Sequence, residues 1–590
     1  MLLRRLKPLF TPYPCAKRLA TAWILLNALR LCFGPAAKAV PLPLFCGGIL
    51  LLFAGLTLVA LARPAAWLEN GLLVGAAAWL AWLLVWQYTG GTPYAFCAAL
   101  LLALGLLICI LYRQPASPAL PAVGRRLCLA VVGGCAVLFI AVVGGVTCLR
   151  YATYSAPNYD FGIFANMFHH MKTTLRPLVS CERDRLLSHF AVHISPIYYL
   201  LLPAYLVFPT PYTLQIGQAV VLASGLIPLY LLCRRYALSY RVTALLAVLY
   251  AGCPALNAGC FYDIHENCFL TPALLWLFVC FEYGRTGWLY AAAAAVLLVK
   301  EDAAVYLAVL AVYIWLARRD RHGKWLLLLA VGYFLLAVGL LTLFGEGAMF
   351  GRYGNLSDTE PTVAGILRTL LCNPGHLFDQ LFKTGDGSAR KLLYLFQLLA
   401  PLAALPFMTR RFGRYLLLAP LLLNLLTTYP YMYDIGFQYG FGISAFLFYL
   451  AVMNLPALSA PVRRKALTIA ALATCLLYTV AVLPRLESQA ACYSRERESF
   501  ARMDALLASI PQDASVTASG MLVAHLSNRD EIYELAYHDK TDTDYLVLDI
   551  RPAYAKDATE ARAQYTDAGY VLVRREENLL EIWGSPSAAY

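Results

Sequence analysis

The sequence predicts an α-helical polytopic membrane protein, with about 13–15 transmembrane helices and a small C-terminal α/β domain. Three observations predict this. Of 590 residues, 61% are hydrophobic and 14% charged, with a mean hydropathy of +0.63, against about 45–50% apolar and about 25% charged in ordinary globular chains. Apolar runs approaching the roughly 20 residues that cross a bilayer recur through the first 484 positions. Charge also divides along the chain. Residues 485–590 hold 11 Lys and Arg against 18 Asp and Glu, a net −7, which leaves +20 of the overall +13 on residues 1–484. A soluble enzyme, a disordered chain and a secreted disulfide scaffold are excluded.

The candidate spans are 18–33, 40–62, 71–88, 93–112, 127–149, 213–233, 241–257, 268–283, 287–299, 303–317, 325–344, 391–408, 412–429, 437–454 and 466–484. Short cytoplasmic loops are enriched in Lys and Arg. An inside N-terminus places every basic cluster on the cytoplasmic side: Arg4/Arg5/Lys7/Lys17/Arg18, Arg113/Arg125/Arg126, Arg234/Arg235, Arg285, Arg318/Arg319/Arg321/Lys324, Arg410/Arg411/Arg414 and Arg463/Arg464/Lys465. Counting 196–209 as a further span breaks that agreement, and its three prolines oppose a regular helix. It reads as a re-entrant or interfacial piece. No cleavable leader is seen, so the first helix is expected to remain as an anchor. The expected organisation is an N-terminal transmembrane extension at 1–126, a membrane core at 127–484 with a long outer loop at 150–195, and an extracytoplasmic domain at 485–590. In that domain a helix at 497–509, strands at 514–519, 531–535 and 544–550, and a hairpin around Glu576–Asn578 are expected.

The 17 cysteines are scattered through apolar segments without metal-site spacing, so they read as small hydrophobes. Basic residues form short clusters and no continuous face, so nucleic acid is excluded as a partner. No nucleotide-binding, zinc-protease or serine-hydrolase motif stands in a credible context.

Ionisable groups near membrane depth cost several kcal/mol and mark sites or pathways. The outer loop carries Asn158-Tyr159-Asp160-Phe161-Gly162, then His169/His170, then Ser188-His189-Phe190-Ala191-Val192-His193. On a helix His189 and His193 share a face, as a metal or phosphate pair does; interfacial polarity explains them more simply, because a third ligand is lacking. Asp263, His265 and Glu266 crowd one short loop, where solvated loop polarity is the simpler account. Lys300-Glu301-Asp302 sits between two apolar runs with no turn-forming spacer, so its charges are expected to be recessed and to pair or bind something. The plainer alternative is neutralisation of Lys300 by Glu301 or Asp302. Arg352 is a phosphate-binding candidate, and Asp434, Gln438 and Tyr439 open span 437–454 on the same side. Gly520 and His525 follow a strand in the tail, where a turn and a helix face explain them.

The runs YDFGIFANMFHH, SHFAVHISPIYYLLLPAYLVFPTPYTLQIGQAV, YDIHEN, KED and IPQDASVTASGMLVAHLSNRDEIYEL, in that order, resemble the domain of unknown function 2079 family, over about residues 130–580. That family is more distantly similar to the C-type glycosyltransferase superfamily, whose members use polyprenyl-phosphate sugars at the outer membrane face. The resemblance implies a core with a first span, an acid-bearing outer loop, a His…Pro segment and a span ending in basic residues. It implies Asp160 and Glu301 as catalytic candidates, with Asp160 as general base. It further implies Lys300 or Arg352 at the donor phosphate, with His265 and Glu301 lining the pocket; His189, His193, Asp263, Glu266, Asp302, Gln438 and Tyr439, read from the residues themselves, complete the substrate-side candidates. The chain departs from many members in lacking a second acid directly after Asp160. No cofactor is assigned with certainty; a divalent cation is the one candidate. The implied activity is sugar transfer from a polyprenyl-phosphate donor in the plasma membrane of a prokaryote. The alternatives are a transporter or lipid flippase, with Lys300–Asp302 as an ion relay, and a non-catalytic envelope-assembly protein.

Overall fold

The computed structural model describes residues 10–33, 41–64, 68–83 in part, 122–347, 350–382 and 389–588. Among these, seven helices are long and apolar enough to cross a membrane. They are α2 (Leu42–Ala62), α3 (Arg125–Ala152), α5 (Pro211–Arg235), α6 (Tyr240–Ala258), α10 (His322–Phe344), α13 (Gln438–Ala457) and α14 (Ala460–Leu507). Between them lie α1 (Pro12–Phe33) and α4 (Ile163–Thr174), then α7 (Leu270–Glu282) and α8 (Thr286–Leu297), then α9 (Ala303–Ala317), α11 (Ala389–Leu399) and α12 (Phe412–Leu425). The protein is a helical membrane protein with a small C-terminal α/β region, as the sequence predicts. The expected span 93–112 lies outside the described residues, and 71–88 is described only in part.

Two expected spans are less regular than their apolarity suggests. Span 391–408 ends as a helix at Leu399, and Ala403 and Ala404 then adopt left-handed backbone at φ 47° and 55°. Pro401 and Pro406 remove backbone donors there; hydropathy reports the solvent, not the hydrogen bonding. Span α5 bends at Gly225, because Tyr250 reaches across to donate from its hydroxyl to the Leu222 carbonyl (2.7 Å). A Cβ at Gly225 would stand 2.2 Å from that hydroxyl, so a side chain there is excluded.

The short helices position the site. With 12 residues, α8 rises only about 18 Å, well short of a hydrocarbon core of about 30 Å. Its connection to α9 is the turn holding Lys300, which is thereby recessed. Residues 196–209 form a 3₁₀ turn (Pro196–Leu200) and a six-residue helix (Leu202–Val207), with Leu200, Leu206, Val207 and Phe208 exposed. The Ile197 amide donates to the Leu298 carbonyl (2.9 Å), which ties this segment to the same turn.

The opposite end of the bundle holds a further buried acid that the sequence does not single out. Glu282 is 6% exposed and accepts from the Tyr236 and Tyr449 hydroxyls (2.8 and 2.7 Å) while pairing with Arg318 (2.7 Å). In sequence it is one acid at the end of a span; only packing supplies its partners.

The tail begins inside α14, which runs on to Leu507 instead of starting afresh at 497. Beyond it come β3 (Val516–Ala518), β4 (Ile532–Glu534), β5 (Tyr545–Asp549), β6 (Val571–Glu576) and β7 (Leu580–Gly584), after the two-residue strands β1 (Leu178–Val179) and β2 (Leu187–Ser188) of the loop. The sheet order is β4-β3-β5-β7-β6, with β4, β3 and β5 parallel and the rest antiparallel. The helix α15 (Ala555–Asp567) is absent from the sequence reading; it buries only Ala558, Ala561 and Tyr565 toward the sheet, too few apolar positions to stand out.

The sheet is locked onto the loop that follows α3. His525 stacks between Tyr151 and Tyr154, with ring centroids at 4.1 and 3.7 Å, and donates to the Tyr151 carbonyl (3.0 Å). Burial pushes its pKa down to about 3, so the stack stays neutral across the physiological range. Ser180 and Ile532 exchange two hydrogen bonds (2.8 and 3.0 Å). Replacing His525 by Ala is expected to weaken docking by about 2–4 kcal/mol, the sum of two aromatic contacts and one buried hydrogen bond. Limited proteolysis should then cut the tail faster than in the parent, by the same factor at pH 5.5 and pH 8; coinciding rates would remove His525 from this role.

Candidate functional site

Beneath the sheet, a cavity of about 550 Å³ is lined by Asp160, His189, His193, His265, Lys300, Arg352, Gln438 and Tyr439, with Glu182, Tyr262, Tyr429, Tyr431 and Phe437 among its other walls. Elements distant in sequence build it: the loop after α3, the loop before α7, the α8–α9 turn, residues 350–356 and the start of α13.

Asp160 is aimed by local backbone. Residues Asn158–Gly162 form a single π turn, which widens the helix and re-aims its side chains. Gly162 makes the turn possible, since a Cβ there would meet Asn158 Oδ1 at 2.5 Å and Val523 of the tail at 3.1 Å. Among the described residues no donor reaches the Asp160 carboxylate. Protein surrounds it on most sides, and only part of its surface opens to the cavity. Burial, followed by the charge of Glu266, pushes its pKa up to about 8.

Glu266 is the buried hub behind it. Wholly unexposed, it accepts from the Tyr198 hydroxyl (2.8 Å) and lies 3.2 Å from His265 Nδ1. Lys300 Nζ stands 2.9 Å from its Oε1, an ion pair whose angles fall outside hydrogen-bond range. Lys300 is therefore neutralised by Glu266, and not by its neighbours Glu301 or Asp302. Glu301 holds His193 (2.8 Å) and accepts from the Ile194 amide (3.1 Å). It acts on the cavity wall through that histidine and does not itself line the cavity. Asp302 is exposed at the start of α9, also outside the cavity.

His189 and His193 sit on one turn, the His193 amide donating to the His189 carbonyl (2.9 Å), and both line the cavity. His189 opens a three-residue 3₁₀ turn, and the two rings stand 6.0 Å apart. His189 pairs with Glu182 (2.9 Å), while His193 pairs with Glu301. Burial opposes protonation of His189, but the Glu182 carboxylate prevails and raises its pKa. Among the described residues, no group of three or more His, Cys, Asp or Glu is placed to hold a metal ion.

Asp263 lies outside the cavity. It accepts from Gln215 (2.7 Å) and Arg150 (3.3 Å), and so joins α5 to the end of α3. Its φ of 119° is strained for a residue with a side chain, and these two bonds hold it there. Arg352 donates to the Tyr439 hydroxyl (2.9 Å) and stacks over Tyr429 at 4.7 Å. Among the described residues it has no carboxylate partner. Gln438 also lines the wall, and its Oε1 is buried with no donor.

The family described as "Predicted membrane protein (DUF2079)" matches residues 150–572, nearly three-quarters of the chain and every cavity residue named above. The chain belongs to this family. No curated protein matches the DUF2079 chain in sequence. Among solved structures, it is similar to ArnT from Cupriavidus metallidurans bound to undecaprenyl phosphate, at 13% identity and a TM-score of 0.47, covering 78% of this chain and 98% of that one. It is also similar to the arabinofuranosyltransferase AftD from Mycobacteria, at 14% identity and a TM-score of 0.43, over 80% of this chain and 40% of that one.

Sequence reasoning missed Glu182, Tyr198, Tyr262 and Tyr429. Glu182 stands among Arg183, Asp184 and Arg185 and looks like ordinary loop charge. The pairing of β1 with β2, Leu178 opposite Ser188, is what folds it back onto His189.

Proposed function

We propose that this membrane protein transfers a sugar from a polyprenyl-phosphate donor to an acceptor hydroxyl at the outer membrane face. One observation carries the proposal: among the described residues, a carboxylate without a protein donor, Asp160, shares a recessed cavity with a cation without a carboxylate partner, Arg352. Asp160 takes the proton of the acceptor hydroxyl, as a base whose pKa lies near the working pH. The acceptor oxygen bonds to the anomeric carbon as the bond from that carbon to the donor phosphate oxygen breaks. The electron pair leaves on the lipid phosphate, whose gained charge is met by Arg352 and, at longer range, by Lys300. Attack from the face opposite the phosphate inverts the anomeric configuration. Tyr262, Tyr429 and Phe437 offer aromatic faces to the sugar ring. Arg352 is the preferred phosphate ligand, because the charge of Lys300 is already met by Glu266.

The full chain in lipid nanodiscs, supplied with undecaprenyl-phosphate-linked glucose, mannose, galactose and N-acetylglucosamine, tests this. Release of undecaprenyl phosphate from one of them is expected. Arg352→Ala should raise the donor KM by about 10–100-fold, the loss of a charge-assisted contact, and Arg352→Lys should restore part of it. Absence of both donor binding and turnover with all four sugars would discard the reading.

A further inference from the structure

A second hollow, of about 570 Å³, lies in the C-terminal sheet. It opens at the carboxyl ends of the three parallel strands: Ser519 and Gly520 follow β3, Glu534 ends β4 and Asp549 ends β5. The chain runs from β3 to β4 on one side and then crosses back to lay β5 on the other. Connections that part in this way open a crevice beside the first strand, where ligands bind in parallel sheets.

One carboxylate oxygen is left over at this crevice. Glu534 is 6% exposed; its Oε2 accepts from Asn158 (2.8 Å), while its Oε1 has no donor among the described residues. A Cβ at Gly520 would stand 2.7 Å from that Oε1, so glycine leaves the oxygen uncovered. Asn158, 2% exposed, walls the neighbouring hollow instead, and its Oδ1 faces Gly162 without a partner among the described residues. A hollow of about 420 Å³, walled by Asn158, Tyr159, Glu182 and Glu534, shares Tyr159 and Glu534 with the crevice and Tyr159 and Glu182 with the Asp160 cavity. Tyr159 borders all three spaces and immediately precedes Asp160.

The crevice lining selects the ligand chemistry. It presents Glu534 and Glu560 as acceptors, the Ser519 hydroxyl, the Gln564 amide and the rings of Tyr159 and Tyr554. Among the described residues no Lys or Arg is one of its walls, and Asp549 is already neutralised by Arg551 (2.6 Å). Phosphate and carboxylate ligands would meet the like charge of Glu534 and Glu560 there. Vicinal hydroxyls suit carboxylate acceptors, and the C–H faces of a sugar ring suit tyrosine rings.

We propose that the crevice binds a neutral carbohydrate chain and delivers its end past Tyr159 to Asp160. Binding rests on the crevice alone; that the bound chain is the acceptor rests on the transferase reading. The test offers the full-length protein in nanodiscs neutral trisaccharides of glucose, mannose and galactose, with a uronic-acid trisaccharide and spermidine as charged controls, and reads binding by saturation-transfer NMR and calorimetry. A neutral trisaccharide should bind. The pair Glu560→Ala/Gln564→Ala, both exposed on α15 and tolerable to the fold, should weaken it about tenfold, as losing a charged-group hydrogen bond does. No neutral binding to a protein with an intact thermal transition, binding untouched by the pair, or preference for either charged control would each overturn the proposal. Saccharide binding that survives alongside failed donor assays leaves the crevice in place and removes only the transferase reading.

Discussion

Asp160→Asn is expected to lower turnover by about 10²–10⁴-fold, the usual contribution of a positioned base, while leaving the fold intact. The carboxylate accepts nothing from the described protein, so the amide strands no donor. The raised pKa of about 8 fixes the sign of two further effects. A base must be deprotonated, so kcat/KM of the parent should climb with pH and level off above about 8. Stability should run the other way. A carboxyl that holds its proton more tightly when folded favours the folded state below its ordinary value of 3.8; that advantage fades as pH rises and is gone above about 8. The Asn variant should lack this slope and be the more stable protein at pH 9. A flat rate profile from pH 6 to 9, or an Asn variant keeping a tenth of the activity, would take Asp160 out of the base role.

The second large effect is on stability. Lys300 and Glu266 are 4% and 0% exposed, so removing either leaves its partner's charge buried. Lys300→Met is expected to cost about 3–5 kcal/mol, and Glu266→Gln a similar amount. The double variant should recover a substantial part of the combined loss, because two neutral side chains of similar volume replace two charges. Thermal and denaturant unfolding of the four proteins in one detergent gives the coupling energy. Additive losses would show that the two charges are held independently, and an unchanged Lys300→Met would show that the pair bears no load.

Scarcity made part of the site legible. In a background with few charges, Lys300-Glu301-Asp302 and Asp263-Ile264-His265-Glu266 stand out, and the fold does bring Lys300, His265 and Asp160 to one cavity. What the sequence could not show was pairing. Lys300 reaches Glu266 across 34 residues (|300 − 266|) and ignores its own neighbours; Glu301, ranked with Asp160 by resemblance, turns to His193 instead. Glu182 and Glu282 were invisible because a loop acid and a span-end acid need no explanation until their partners arrive. The fold class was legible from hydropathy and charge alone, since both report which solvent each segment meets. The breaks at Gly225 and Ala403 were not, because backbone geometry there depends on Tyr250 and on prolines whose effect is local. The helix α15 escaped because its buried face is small.

Within α14 two helices, Ala460–Ala481 and Leu483–Leu507, of 22 and 25 residues, meet at Val482 and rise about 33 Å and about 38 Å at 1.5 Å per residue, so the first alone matches the hydrocarbon thickness. The second is left to work as a spacer that sets the altitude and bearing of everything mounted on its end. Each residue added to the protruding part would lift the sheet by about 1.5 Å and swing it by about 100°. His525 would then miss Tyr151 and Tyr154, and the passage beside Tyr159 would open onto empty water.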